Sequence, residues 1–110
     1  MYSIVAEKPG DISVLQKKSI DFSEPKSNEV LIKNRAIGVN FIDIYFRAGL
    51  YPWPVDTDLV LGSEGAGEVE AVGPDVKNFK IGDRVAYAQP NNAYSTHRII
   101  SEDLVVFIPD

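Results

Sequence analysis

A chain of 110 residues, 45% apolar and 25% charged, has room for one domain with a real core and not for a second. It has no cysteine, which excludes disulfides, thiol nucleophiles and thiolate metal sites, and its single histidine would leave any metal mostly to carboxylates. A net charge of −5 with no Lys/Arg cluster argues against a nucleic-acid partner, and no apolar run approaches a membrane span. The first residues show neither a basic leader nor a long apolar stretch, so the expected location is cytoplasmic.

In chain order, Tyr2 to Ala6 reads as a strand, and Glu7-Lys8-Pro9-Gly10-Asp11 as a turn. Val14 to Phe22 reads as a second strand, followed by a polar, proline-containing connection from Ser23 to Glu29. Val30 to Val39 is long and rich in β-branched residues. Gly65 to Gly73 alternates, with Val69 and Ala71 on one face and Glu68, Glu70 and Val72 on the other. Turns at Gly73-Pro74-Asp75 and Ile81-Gly82-Asp83 precede three further strand-length segments, Arg84 to Ala88, Tyr94 to Ile100 and Leu104 to Ile108. Regular short strands of this kind predict a mainly β domain, a barrel or rolled sheet.

Asn40 to Ala48 breaks the pattern. Phe41, Ile44, Tyr45 and Ala48 recur at i, i+3, i+4 and i+7, a helical stripe; Asn40 suits an N-cap, Asp43 the first turn and Gly49 the stop. The segment from Asn40 to Pro54 also gathers Tyr45, Tyr51 and Trp53 with an amide, a carboxylate and Arg47. Such a set could offer a flat aromatic ligand stacking faces and a few hydrogen-bonding groups. On the residues alone, a second reading stays open: Asn40 and Asp43 cap a helix and the aromatics fill the core.

Three blocks carry a resemblance. They are Ala-Ile-Gly-Val-Asn-Phe-Ile-Asp-Ile-Tyr-Phe-Arg-Ala-Gly-Leu-Tyr-Pro from Ala36 to Pro52, Leu-Gly-Ser-Glu-Gly-Ala-Gly-Glu-Val-Glu-Ala-Val-Gly from Leu61 to Gly73, and Ile-Gly-Asp-Arg-Val-Ala-Tyr from Ile81 to Tyr87. In wording, order and spacing they resemble bacterial NADPH:quinone oxidoreductases, within the medium-chain dehydrogenase/reductase superfamily. The resemblance implies a GroES-like, partly open β-barrel with one or more short helices, residues 1–110 forming the N-terminal catalytic domain.

It also implies chemistry. In zinc-dependent relatives a cysteine stands where Asn40 stands and a histidine where Ser63 stands, so both catalytic zinc ligands are replaced and no metal is expected. NADPH is the implied cofactor, with Asn40, Phe41, Ile42, Asp43, Ile44 and Tyr45 near its nicotinamide end. Tyr45, Arg47 and Tyr51 are the implied contacts to a quinone or related conjugated carbonyl, Tyr45 and Tyr51 as catalytic groups. The nicotinamide carries the hydride, and the protein aligns the acceptor and stabilises charge on its oxygen.

The glycine-rich block is not a dinucleotide fingerprint: from Gly65 it reads Gly-Ala-Gly-Glu-Val-Glu and leads into a strand. Its Glu64 reads as a buried or semi-buried structural acid, and His97 as a surface or satisfied strand histidine. A doubly wound nucleotide-binding domain, which relatives of this kind carry next and through which they form homodimers, is expected to lie outside these 110 residues. The isolated chain is accordingly expected to be inactive. The alternatives are an enoyl reductase of the same superfamily and a non-catalytic β-barrel module for binding or assembly.

Overall fold

The computed structural model describes all residues from Met1 to Asp110. Eight strands form: β1 Tyr2–Ala6, β2 Leu15–Ser19, β3 Glu29–Ile37, β4 Leu59–Val60, β5 Glu64–Val72, β6 Arg84–Ala88, β7 His97–Ser101 and β8 Val105–Phe107. One helix, α1 Phe41–Arg47, joins β3 to β4, and short 3-10 turns cover Ile12–Val14 and Glu102–Leu104. No helix is long and apolar enough to cross a membrane.

The strands make two antiparallel sheets, ordered β2-β1-β4 and β7-β3-β5-β6-β8. Ser3 and Ser95 bridge them. The central β3–β5 ladder shifts register between Leu31 and Ile32 and again between Asn34 and Ala36. Such bulges bend and twist a ladder, and here they curl the larger sheet around its core. β7 and β8 remain at its two edges, so the expected partly open barrel is what forms.

Inside the curl lie Val30, Ile32, Val69, Val85, Tyr87, Ala93, Ile100 and Val105, all buried. Burying one such aliphatic side chain stabilises the fold by about 2 kcal/mol before entropy is charged. A smaller core of Ala6, Val14, Leu59 and Leu61 sits under the first sheet, with Phe46, Trp53 and Tyr94 packed against it. This second core receives the inward side of α1.

Most strands lie within a residue or two of their sequence ranges, and two depart further because of how the flanking backbone bonds. The second strand was expected from Val14 to Phe22. Asp11 accepts the Ser13 N–H at 2.9 Å and starts a 3-10 turn, and pairing ends where Ser19 meets Tyr2 at the start of β1. β7 starts at His97 rather than Tyr94 because the preceding backbone bonds elsewhere. Tyr94 N–H reaches Leu61 O at 2.8 Å, and Thr96 N–H reaches Tyr2 O at 2.9 Å. β4 is only two residues long, too short to leave an alternating signature.

Two polar residues in the folded body are satisfied structurally. His97 is buried, with Nε2 at 2.9 Å from Glu70 Oε2, in keeping with the strand histidine expected. Glu102 accepts the Lys77 and Asn78 backbone N–H groups, Asn78 at 3.0 Å, and so holds the turn before β6.

Candidate functional site

Seven residues are too few for a helix to be stable by itself, so α1 depends on what holds its ends. At the N-terminus, Asp43 is 3% exposed and takes three hydrogen bonds. Its Oδ2 accepts from Asn40 N–H at 3.0 Å and from the Tyr94 hydroxyl at 2.7 Å, and its Oδ1 accepts from the Ser63 hydroxyl at 3.3 Å. Asp43 N–H returns a bond to Asn40 O at 3.1 Å. A buried carboxylate without partners would be strongly unfavourable; here three donors from three parts of the chain replace its hydration. Burial, and then the Asp43 contact, hold the Tyr94 phenol well above its ordinary pKa, so it stays protonated as the donor.

At the C-terminus, Gly10 and Arg47 exchange bonds. Gly10 N–H donates to Arg47 O at 2.9 Å, and Arg47 Nε donates to Gly10 O at 3.1 Å. Trp53 Nε1 donates to Phe46 O at 2.6 Å, and Leu50 N–H to Tyr45 O at 2.9 Å. Gly49, at φ +83°, makes the left-handed turn that ends the helix.

The apolar stripe of this clamped helix faces outward. Phe41 is 75% exposed, Ile44 41% and Tyr45 39%, with Tyr51 beside them at 44%. Ile42, Asp43 and Phe46 form the inward side. Of the two readings left open by the residues, the one in which these aromatics fill the core is ruled out for Phe41, Tyr45 and Tyr51. An exposed apolar surface on a rigid mount is the usual mark of a binding surface.

The sequence-derived residues thus divide. Phe41, Ile44, Tyr45 and Tyr51 come together on the open face. Asn40 stands at the helix start, half-buried, and Ile42 is half-buried beneath. Asp43 is turned into the protein, and the Arg47 side chain is tied to Gly10. Glu64, expected to be at least semi-buried, is exposed: its backbone joins β3 by accepting Gly38 N–H at 3.1 Å, while its side chain lies against Gly38 at the rim of a groove of about 650 Å³. Tyr94 went unnoticed in the sequence. It lies 51 residues from Asp43, and no local pattern signals such a pair.

No cluster of three His, Cys, Asp or Glu side chains capable of holding a metal occurs in the chain. Ser63 donates its hydroxyl to Asp43, and Asn40 begins the helix. The open face suits a flat, uncharged ring. Arg47, at the end of the helix, has its Nε tied to Gly10 O.

Comparison with known proteins gives a consistent picture. Residues 26–106 match the alcohol dehydrogenase GroES-like domain. The chain is 53% identical to a quinone oxidoreductase from Pseudomonas aeruginosa over 102 residues, covering 92% of this chain and 31% of that protein. The solved Escherichia coli quinone oxidoreductase, complexed with NADPH, superposes with a TM-score of 0.94 at 44% identity, over 99% of this chain and 33% of that one. A quinone oxidoreductase from Pseudomonas syringae superposes at 0.93 and 44%, over 99% and 34%. The chain spans about a third of the length of each of these relatives.

Proposed function

The chain belongs to the alcohol dehydrogenase GroES-like domain family, and on that premise we propose that it forms the acceptor wall of the active site of an NADPH-dependent quinone oxidoreductase. The observation that carries this reading is the outward aromatic face of α1, held at both ends and extended by Tyr51. Relatives of that name at 53% and 44% identity support it.

The residues fit one end of the cofactor. Phe41 and Ile44 offer an apolar bed for a nicotinamide ring, with Ile42 packed beneath them and Asn40 at its edge. When bound, the reduced nicotinamide supplies a hydride. The chain's own contribution is to hold the acceptor flat against Tyr45 and Tyr51 and to keep water away. Their hydroxyls donate to the acceptor oxygen as negative charge grows there. The donor set at Asn40 and Ser63, an amide and a hydroxyl rather than thiolate and imidazole, supports a zinc-independent enzyme. Contacts to the adenine and phosphates fall to a nucleotide-binding domain beyond these residues. The substrate is a quinone or a related conjugated carbonyl, and the setting is the cytoplasm, where reduced nicotinamide is supplied.

The test is NADPH oxidation by the whole protein that contains this chain, with quinones, enoyl thioesters and simple aldehydes offered in parallel, before and after treatment with a metal chelator. Quinone-dependent oxidation that resists chelation is expected. Preference for enoyl thioesters, or loss of activity on chelation, would overturn the reading.

A further inference from the structure

Asp43 is a buried anion with no cationic partner. It is met by three neutral donors, Asn40 N–H at the N-cap and the Ser63 and Tyr94 hydroxyls from elsewhere in the chain. We propose that Tyr94 is a positioning residue for the reaction, acting through Asp43 to fix how the face of α1 meets the acceptor. This rests on the function proposed above.

Tyr94 is built as a rigid post. Its N–H bonds to Leu61 O and its carbonyl accepts Ile4 N–H, both at 2.8 Å, so its backbone is fixed to the approach to β5 and to β1 together. Its ring packs on the smaller core beside Phe46 and Trp53, and also lines a cavity of about 470 Å³ next to Val39. From there its hydroxyl reaches Asp43 Oδ2, the same oxygen that takes Asn40 N–H, at 2.7 and 3.0 Å. One oxygen therefore ties the first residue of the helical segment to the junction of the two sheets. Ile44 and Tyr45, which follow Asp43 directly, turn with it.

The consequence is geometric. Hydride transfer is sensitive to displacements of about 1 Å, because reacting atoms must approach within about 3.5 Å in line. Without the Tyr94 bond, the first turn is tied to the rest of the fold only through Ser63 at 3.3 Å, so the two-turn helix is freer to pivot about the Arg47–Gly10 clamp and carry Phe41 and Tyr45 with it. Tyr94 touches neither the open face nor, on this reading, any reacting atom. Its effect runs through Asp43 alone.

Tyr94→Phe keeps the ring and its packing and removes the donor, so two measurements decide the proposal. In the 110-residue chain, amide hydrogen exchange of Tyr94→Phe is expected to quicken about tenfold in α1 and at Asn40, with β3 and β5 unchanged. In the whole protein, kcat with a quinone is expected to fall about tenfold while KM for NADPH stays within a factor of two. The double variant Tyr94→Phe/Asp43→Ala is expected to cost no more than Asp43→Ala alone, because that change already removes the acceptor of the Tyr94 hydroxyl. Unchanged exchange in α1, or additive losses in the double variant, would overturn the positioning role. A whole protein that never reduces quinones would instead overturn the functional reading, and the catalytic part of this proposal with it.

Discussion

Tyr45 and Tyr51 meet edge to face, their ring centroids 5.7 Å apart and their planes at 69°. Tyr51 meets Phe46 in the same manner at 5.4 Å and 80°. Phe46 packs on the smaller core, so this chain of rings carries rigidity from the interior to the open face. The internally bonded tyrosine hydroxyls are those of Tyr87 and Tyr94, which leaves the Tyr45 and Tyr51 hydroxyls available to an acceptor. Tyr45→Phe and Tyr51→Phe should therefore leave stability within about 0.5 kcal/mol, because the ring contacts persist. Each should lower kcat/KM for a quinone by about tenfold, as expected for one lost donor to a developing negative charge. Steady-state kinetics beside urea unfolding separates the two effects.

Arg47 presents the opposite case. The resemblance implies a substrate contact for its guanidinium, and in the structure Nε donates to Gly10 O at 3.1 Å while Gly10 N–H returns a bond to Arg47 O. Arg47→Ala removes a charge-assisted bond from a half-buried site and should destabilise the domain by about 1–2 kcal/mol. The urea midpoint should fall, and KM for quinone should change less than it does in Tyr51→Phe. A rise in KM at unchanged stability would return Arg47 to the substrate.

Much of this architecture could be read directly from the sequence, and the limits have physical causes. β5 and the helix were visible because period-2 and period-3.6 patterns are local, and Asn40, Asp43 and Gly49 are local punctuation marks. Which way the helix faced was not local. Its apolar stripe looks like a core-facing stripe, and only the packing of Phe46 and the burial of Asp43 show that the side with the carboxylate is the inner one. The partners of Asp43 sit 20 and 51 residues away, joined by tertiary hydrogen bonds that leave no spacing signal. The start of β7 was misplaced for the same reason, since Tyr94 and Thr96 bond to segments distant in sequence.

Two phenols, buried Tyr87 and half-buried Tyr94, make the fold sensitive to alkali. Burial raises the pKa of Tyr87, against a partial opposing pull from Arg98, and raises that of Tyr94, where Asp43 adds to the effect. A folded-state pKa above the unfolded value of 10.0 means that the stabilisation is complete below that pH. It is lost as pH rises beyond it, because the unfolded chain gives up its phenolic protons first. The thermal midpoint should hold steady between about pH 8 and pH 9.5 and fall above about pH 10. Tyr94→Phe removes one of the two phenols and should make that alkaline fall shallower. An equally steep fall in the variant would show that Tyr94 does not contribute.

The helix hangs from the end of β3, so the β3–β5 ladder is where a small change should reach furthest. Gly67 lies opposite Asn34 at the second register shift, and a Cβ placed on it would run into the carbonyl of Lys33 and press on the backbone at Asn34. Backbone in a central ladder cannot swing aside as a side chain can, so relief requires the two strands to separate where their pairing turns the sheet. Gly67→Ala should destabilise the domain by about 3 kcal/mol or more, a large share of the stability of a small domain. Ala71→Gly, four residues along the same strand, removes a methyl group and should cost only about 1 kcal/mol, mostly through greater freedom of the unfolded chain. The comparison isolates the steric effect, since one substitution adds a methyl group to β5 and the other removes one. Urea unfolding of both variants, with tryptophan fluorescence reporting on Trp53 beside α1, should show the larger loss in Gly67→Ala. If the two lost equal stability, the close approach of β3 to Gly67 would not be what shapes this ladder.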